Sequence, residues 1–201
     1  MNLINKSDGN KEVIDFVADY LERGKIIAYP TETVYGLGCD ALNKRAITRL
    51  NKMKGRDAGK QLIILVDSMT MAKKYVKFTS EIANIAKTYW PGPLSFILPT
   101  TELGRQVFKT NTLAVRISSN EIATAIVKKI KRPLVSTSAN LSGSQPARSG
   151  LEAAAIFIGE QDEPDLILDA GKLKISKGST ILDCTLAEIS IVRQGDVKFK
   201  I

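Results

Sequence analysis

The uninterrupted apolar runs of this chain are of strand length. Leu62 to Val66 is typical, and no run approaches the ~20 residues that a membrane-spanning helix needs. Between these runs the apolar residues recur at helical spacing. Val13, Ile14, Phe16, Val17, Tyr20 and Leu21 form one helical face with Gly24 as a C-cap, and Lys25 to Tyr29 then reads as a buried strand ended by Pro30. Asn43 can cap a helix carrying Ile47, Leu50 and Met53, which leads into a strand from Gln61 to Val66, a β-α-β unit. Helices are expected near Met69 to Val76, Glu81 to Tyr89, Glu121 to Ile130 and Leu151 to Ile158. Strands are expected at Leu94 to Leu98, Thr112 to Ile117, Pro133 to Ser136, Leu166 to Asp169, Thr180 to Cys184 and Ile189 to Arg193.

This alternation predicts a mixed α/β fold, with some antiparallel strands late in the chain. No repeat or linker-like stretch divides the sequence, and 201 residues suffice for one sizeable core, so residues 1 to 201 read as a single domain. Two cysteines, Cys39 and Cys184, give neither a disulfide framework nor a metal pair. With no signal peptide at the amino terminus, the expectation is a soluble cytoplasmic protein that avoids membranes.

Chemistry is bounded by an absence, because the chain has no histidine. Every nucleophile system, zinc motif and general base built on imidazole is excluded, which leaves Lys, Arg, hydroxyls, Asn and carboxylates. The formal charge is +8, of which +7 falls within the first 120 residues and +6 between Lys44 and Lys60. Lys44, Arg45, Arg49 and Lys52 are equally well read as a solvated helix face. Lys54, Arg56 and Lys60 lie on a Gly-containing loop that can wrap a polyanion, and a loop lysine or arginine there needs no core packing.

Two motif resemblances fail on spacing. Gly36-Leu37-Gly38-Cys39-Asp40-Ala41 matches a dinucleotide-binding pattern but stands away from both its strand and its helix. Gly55 to Lys60 has three residues between its glycines and Gln61 after the lysine, where a P-loop needs four and Ser or Thr.

Four polar segments follow predicted strands: Pro30 to Gly38, Lys54 to Lys60, Ala114-Val115-Arg116 and Ser136 to Asn140. In open α/β sheets such strand ends converge on a ligand crevice. Each has a plain structural role as an alternative. Thr31 and Thr33 can satisfy a turn, Arg116 can belong to an ion pair, and Ser138 and Asn140 can make a turn and a helix cap. Arg116 stands in the apolar run Leu113 to Ile117 and needs a buried or ligand anion. Cations, hydroxyls and an amide without a base suit phosphoryl or nucleotidyl chemistry, which is mostly charge neutralisation and positioning.

Tyr29-Pro30-Thr31-Glu32-Thr33-Val34-Tyr35-Gly36-Leu37-Gly38, the Lys54-x-Arg56 pair, Trp90-Pro91-Gly92-Pro93-Leu94-Ser95-Phe96, Ala114-Val115-Arg116 and Ser136-Thr137-Ser138-Ala139-Asn140-Leu141-Ser142-Gly143 resemble the YrdC/TsaC family of threonylcarbamoyl-AMP synthases over about residues 10 to 195. The resemblance implies a single-domain twisted open mixed sheet flanked by helices. It implies synthesis of L-threonylcarbamoyladenylate from L-threonine, bicarbonate and ATP, with release of pyrophosphate. The product would serve t6A modification at position 37 of tRNAs reading ANN codons, through a separate transferase complex.

On this resemblance Lys54, Arg56, Ser138 and Asn140 form the catalytic set at the ATP phosphates. Lys60, Thr112 and Arg193 sit on the nucleotide; Thr33, Arg116, Ser136 and Ser179 hold threonine. Mg²⁺ is implied on the phosphates, with no protein metal site. Family members usually have Pro where this chain has Asp57, and the longer ones carry a further C-terminal domain, so the chain resembles the short form. The competing reading is a non-catalytic double-stranded RNA-binding module. Lys44 to Lys60 contains no aromatic residue for base stacking, so any binding of tRNA or double-stranded RNA there would be to the backbone.

Overall fold

The helices begin where a side-chain oxygen can take the first free backbone N–H. Asn43 caps α2 (Lys44–Met53), Ser68 caps α3 (Met69–Tyr75), and Thr79 caps α4 (Ser80–Tyr89). Thr101, Asn120 and Ser149 do the same for α5 (Glu102–Phe108), α6 (Glu121–Ile130) and α7 (Gly150–Phe157). With α1 (Lys11–Glu22) they cover a ten-stranded sheet in a computed structural model that describes residues 1–5, 11–55 and 62–200.

The strands are β1 (Asn2–Asn5), β2 (Ile27–Tyr29), β3 (Gly36–Gly38), β4 (Ile63–Leu65), β5 (Leu94–Pro99), β6 (Thr112–Arg116), β7 (Leu134–Ser138), β8 (Leu166–Asp169), β9 (Thr180–Asp183) and β10 (Ser190–Arg193). Their order is β1-β8-β2-β3-β7-β4-β6-β5-β9-β10, a single mixed sheet flanked by helices, as the family resemblance implied.

The β-α-β unit expected around α2 does not form. β2 pairs antiparallel with β3, β3 with β7 and β7 with β4, so β2 and β4 run in opposite directions with two strands between them. The cause is Gly36-Leu37-Gly38, which is a strand and not a turn. The Tyr29 ring lies against it: a Cβ on Gly38 would stand 2.7 Å from Tyr29 Cε1 and 2.8 Å from the Val135 carbonyl. Gly38, poor in intrinsic strand preference, is therefore a strand residue because a fully buried tyrosine occupies its side-chain space.

Antiparallel pairing is also not confined to the end of the chain. β9 and β10 are antiparallel, but β8 runs parallel to β1 and β2, and β9 runs parallel to β5. β1 and α5 were not expected from the sequence. α5 lacks an apolar stripe, and its Gly104 is pressed against α3, where a Cβ would lie 2.0 Å from the Tyr75 carbonyl.

The core is continuous along the sheet. Tyr29, Tyr35, Phe96 and Phe157 are its largest fully buried side chains, and Trp90 donates its indole N–H to the Leu94 carbonyl at 2.6 Å. Among the described residues no helix is long and apolar enough to cross a membrane.

Candidate functional site

Register builds the floor of a cavity of about 540 Å³. Ser136, Ile63, Ala114 and Ile97 are consecutive cross-strand partners on β7, β4, β6 and β5, and all four line it. Because strand side chains alternate in direction, Ser138 and Arg116, two residues beyond Ser136 and Ala114, join the same face. The crevice thus lies over the face of the sheet. Three of the four polar segments named from the sequence meet there, but across the sheet face and not at one edge, since β7 is antiparallel to both neighbours and Ser136 and Ser138 belong to the strand itself.

Thr31 to Val34 walls one side. Thr31 is buried; its hydroxyl donates to the Val34 carbonyl at 2.6 Å and accepts from the Thr33 and Val34 amides, so its work is to shape the turn. Thr33 lines the cavity, its hydroxyl 3.0 Å from that of Thr31. On the opposite side stand Ser179 and Arg193. The Arg193 guanidinium donates to the Ser179 carbonyl at 2.7 and 2.9 Å and to its hydroxyl at 2.9 Å. Desolvation, and then the charge of Arg116, push Arg193 below the usual arginine range, although the residue keeps an exposed edge. All four residues implied for threonine, Thr33, Arg116, Ser136 and Ser179, therefore line one cavity.

The catalytic set divides. Ser138 lines the cavity, whereas Lys54 and Asn140 stand behind it. Lys54 is buried, and its Nζ donates to the Asn140 carbonyl at 2.9 Å, to Asn140 Oδ1 at 3.0 Å and to the Ser138 carbonyl. Ser138 Oγ donates to Asn140 Oδ1, and Asn140 Nδ2 donates to the carbonyls of Leu141 and Ser144. Asn140 closes a turn and caps no helix. The view of Lys54 as a loop cation free of packing is thereby corrected: it is an internal tie between the end of α2 and the Ser138–Asn140 turn. Arg56, Asp57 and Lys60 lie outside the described residues. Thr112 does not line this cavity; it borders a second one, of about 500 Å³, with Leu113, Ile64 and Val135 of the opposite sheet face.

Sequence reasoning missed Glu32, whose Oε1 is 3.7 Å from Arg116 Nε and whose Oε2 accepts from the Ser118 hydroxyl. It also missed the loop Ser176 to Gly178, which completes the wall. Glycines Gly171 and Gly178, at φ +80° and +84°, bracket that loop and were its only sequence signal. Tyr29 lies beneath Ser136, and burial raises its hydroxyl far above the usual tyrosine value, opposed by Ser136 and by the Arg116 charge. Among the described residues Arg116, Lys177 and Arg193 line the cavity and no carboxylate does. Such a lining selects anions and offers hydroxyls to orient them.

The α2 cations are less available than the +6 segment suggested. Arg49 pairs with Asp165 at 2.5 Å and Asp162 at 3.6 Å, and Lys52 pairs with Asp162 at 3.6 Å. Lys44 and Arg45 are exposed, as a solvated helix face would have them.

A family model described as "Telomere recombination" (Sua5, YciO and YrdC) matches residues 19–195. Over 185 residues the chain is 37% identical to a threonylcarbamoyl-AMP synthase of Pyrococcus abyssi, covering 90% of this chain and 54% of that protein. The chain thus spans about half the length of that relative. The structure of P. abyssi Sua5 complexed with L-threonine superposes with a TM-score of 0.88 at 35% identity, over 97% of this chain and 58% of that one. E. coli YciO superposes at 0.85 with 26% identity, over 97% and 95%. With the match running through β2, the cavity floor and β10, the chain belongs to the Sua5/YciO/YrdC family.

Proposed function

We propose that the chain is an L-threonylcarbamoyladenylate synthase, a nucleotidyltransferase that converts L-threonine, bicarbonate and ATP to threonylcarbamoyl-AMP and pyrophosphate. The observation that carries this reading is a hydroxyl-lined cationic cavity whose buried arginine, Arg116, is ion-paired with Glu32 at 3.7 Å and, among the described residues, meets no carboxylate from the cavity lining. A relative of this name, and a relative complexed with L-threonine on the same fold, support it.

In this reading threonine's carboxylate lies on Arg116, with Thr33, Ser136 and Ser179 offering hydroxyl contacts to its polar groups. Threonine's amine takes the carbon of bicarbonate, a C–N bond forming as a C–O bond breaks and water leaves, and one oxygen of the resulting carbamate attacks the α-phosphorus of ATP. A new P–O bond forms, the bond to the β-phosphate bridge breaks, and pyrophosphate leaves with the electron pair. Ser138, held with Asn140 by Lys54, faces the phosphates. Arg193 adds charge from the far wall, and Arg56 and Lys60 complete the nucleotide set; Thr112 borders the second cavity and stands outside it. Among the described residues the lining contains no carboxylate, so the donor set fits Mg²⁺ as an ion carried by the phosphates, where it would neutralise their charge.

The product would pass to a threonylcarbamoyl transferase complex for t6A modification of tRNA in the cytoplasm. The non-catalytic double-stranded RNA module is the weaker reading, because Arg49 and Lys52 are occupied by Asp162 and Asp165. The test is incubation of the chain with ATP, Mg²⁺, L-threonine and bicarbonate, followed by mass analysis. Threonylcarbamoyl-AMP is expected, and AMP without the adenylate would refute the assignment.

A further inference from the structure

Two buried polar side-chain atoms without a hydrogen-bond partner, Glu32 Oε1 and Arg116 Nε, face each other beneath one end of the cavity, close to the buried Tyr29 hydroxyl. A core leaves such groups unpaired at a cost, and their concentration at one place marks a function. Arg116 is only 5% exposed, and its Nε faces Glu32 Oε1 at 3.7 Å, too long for a hydrogen bond. Its terminal nitrogens are not among the buried unpaired atoms, so its residual exposure is at the cavity end.

Glu32 is not free to wander. Its Oε2 accepts from Ser118 Oγ, which also accepts from the Asn120 amide at 3.1 Å, and Asn120 caps α6. The carboxylate is thus fixed to a helix start, and Glu32, unlike Arg116, does not line the cavity.

We infer that Glu32 is a positioning residue. It holds the Nε edge of Arg116 from behind, so that the two terminal nitrogens present a fork to a ligand carboxylate. The inference rests on the reading of Arg116 as the threonine carboxylate clamp. It assigns to Glu32 the second role of balancing one of the two neighbouring cations, Arg116 and Arg193, which share the cavity wall. Without that balance the guanidinium would turn toward solvent, and the fork would lose its aim. A bidentate contact depends on angle as well as charge, so the loss falls on ligands with a carboxylate.

The test is calorimetric titration of wild type, Glu32→Gln, Arg116→Ala and the double variant with L-threonine, L-threoninamide and ATP. Glu32→Gln is expected to weaken L-threonine about ten-fold, within the range of couplings between contacting residues, and to leave ATP within about two-fold. Its preference for L-threonine over L-threoninamide should shrink, and in the Arg116→Ala background the substitution should add nothing further. Ser118→Ala, which frees the carboxylate without removing it, should act in the same direction more weakly, and it replaces Glu32→Gln if that variant does not fold. Unchanged threonine affinity, an equal loss for both ligands, or additive effects in the double variant would overturn the inference. Failure of the wild type to bind L-threonine would overturn the clamp reading and this inference with it.

Discussion

Lys54 Nζ, at the end of α2, lies 3.0 Å from Asn140 Oδ1, at the end of β7, and the two residues are 86 apart in sequence. The bond joins the basic segment to the Ser-x-Asn turn from behind the cavity wall. Lys54→Ala would leave two carbonyls and an amide oxygen without this donor, at a cost of about 2–3 kcal/mol. For a chain of this size that is a fall in Tm of roughly 5–10 °C. The variant should therefore lose both stability and adenylate formation, and a thermal melt beside the activity assay checks it. Lost activity with an unchanged melt would make Lys54 a phosphate ligand alone.

Arg116→Lys keeps the charge and loses the fork. Threonine affinity should fall by about 1.5–3 kcal/mol, roughly ten- to over a hundred-fold, while ATP affinity measured without threonine stays nearly constant. The reverse pattern would place Arg116 on the nucleotide.

Gly38→Ala and Gly36→Ala separate packing from ligand space. A Cβ on Gly38 meets Tyr29 Cε1 at 2.7 Å and the Val135 carbonyl at 2.8 Å, so this variant should lose about 1–3 kcal/mol in denaturant unfolding. A Cβ on Gly36 meets its neighbours at 3.4 Å and projects at the cavity, so that variant should fold well and bind ligand less tightly. Equal stability of the two would contradict the account of β3.

These two glycines also mark what the sequence could and could not disclose. Asn43 announces α2 because capping is local chemistry. Thr33, Arg116 and Ser136 were legible as members of polar segments at the ends of predicted strands, whereas Ser179 came only with the family resemblance; the fold brings all four to one cavity. Gly38 is held in the strand with the Tyr29 ring and the Val135 carbonyl in its side-chain space, and Gly36 with that ring at ordinary contact distance, a tertiary fact with no local signature. Lys54 and Glu32 were misread or missed for the same reason, since their partners Asn140, Arg116 and Ser118 are 84 to 86 residues distant.

Asp162 and Asp165 restrain the basic face of α2 through Arg49 and Lys52. Asp162→Asn combined with Asp165→Asn should free those cations and raise non-specific duplex RNA affinity. Each new phosphate contact should steepen the salt dependence by close to one unit of slope. Titrations at several salt concentrations measure this, and an unchanged slope would remove α2 from any RNA surface.

The most direct test of the synthase assignment is pyrophosphate release from ATP measured with L-threonine and bicarbonate supplied together, singly and not at all. Release that requires both is the predicted result, because the attacking oxygen belongs to the carbamate and neither substrate alone supplies it. Release at the same rate without threonine, or none with the full set, would contradict the assignment.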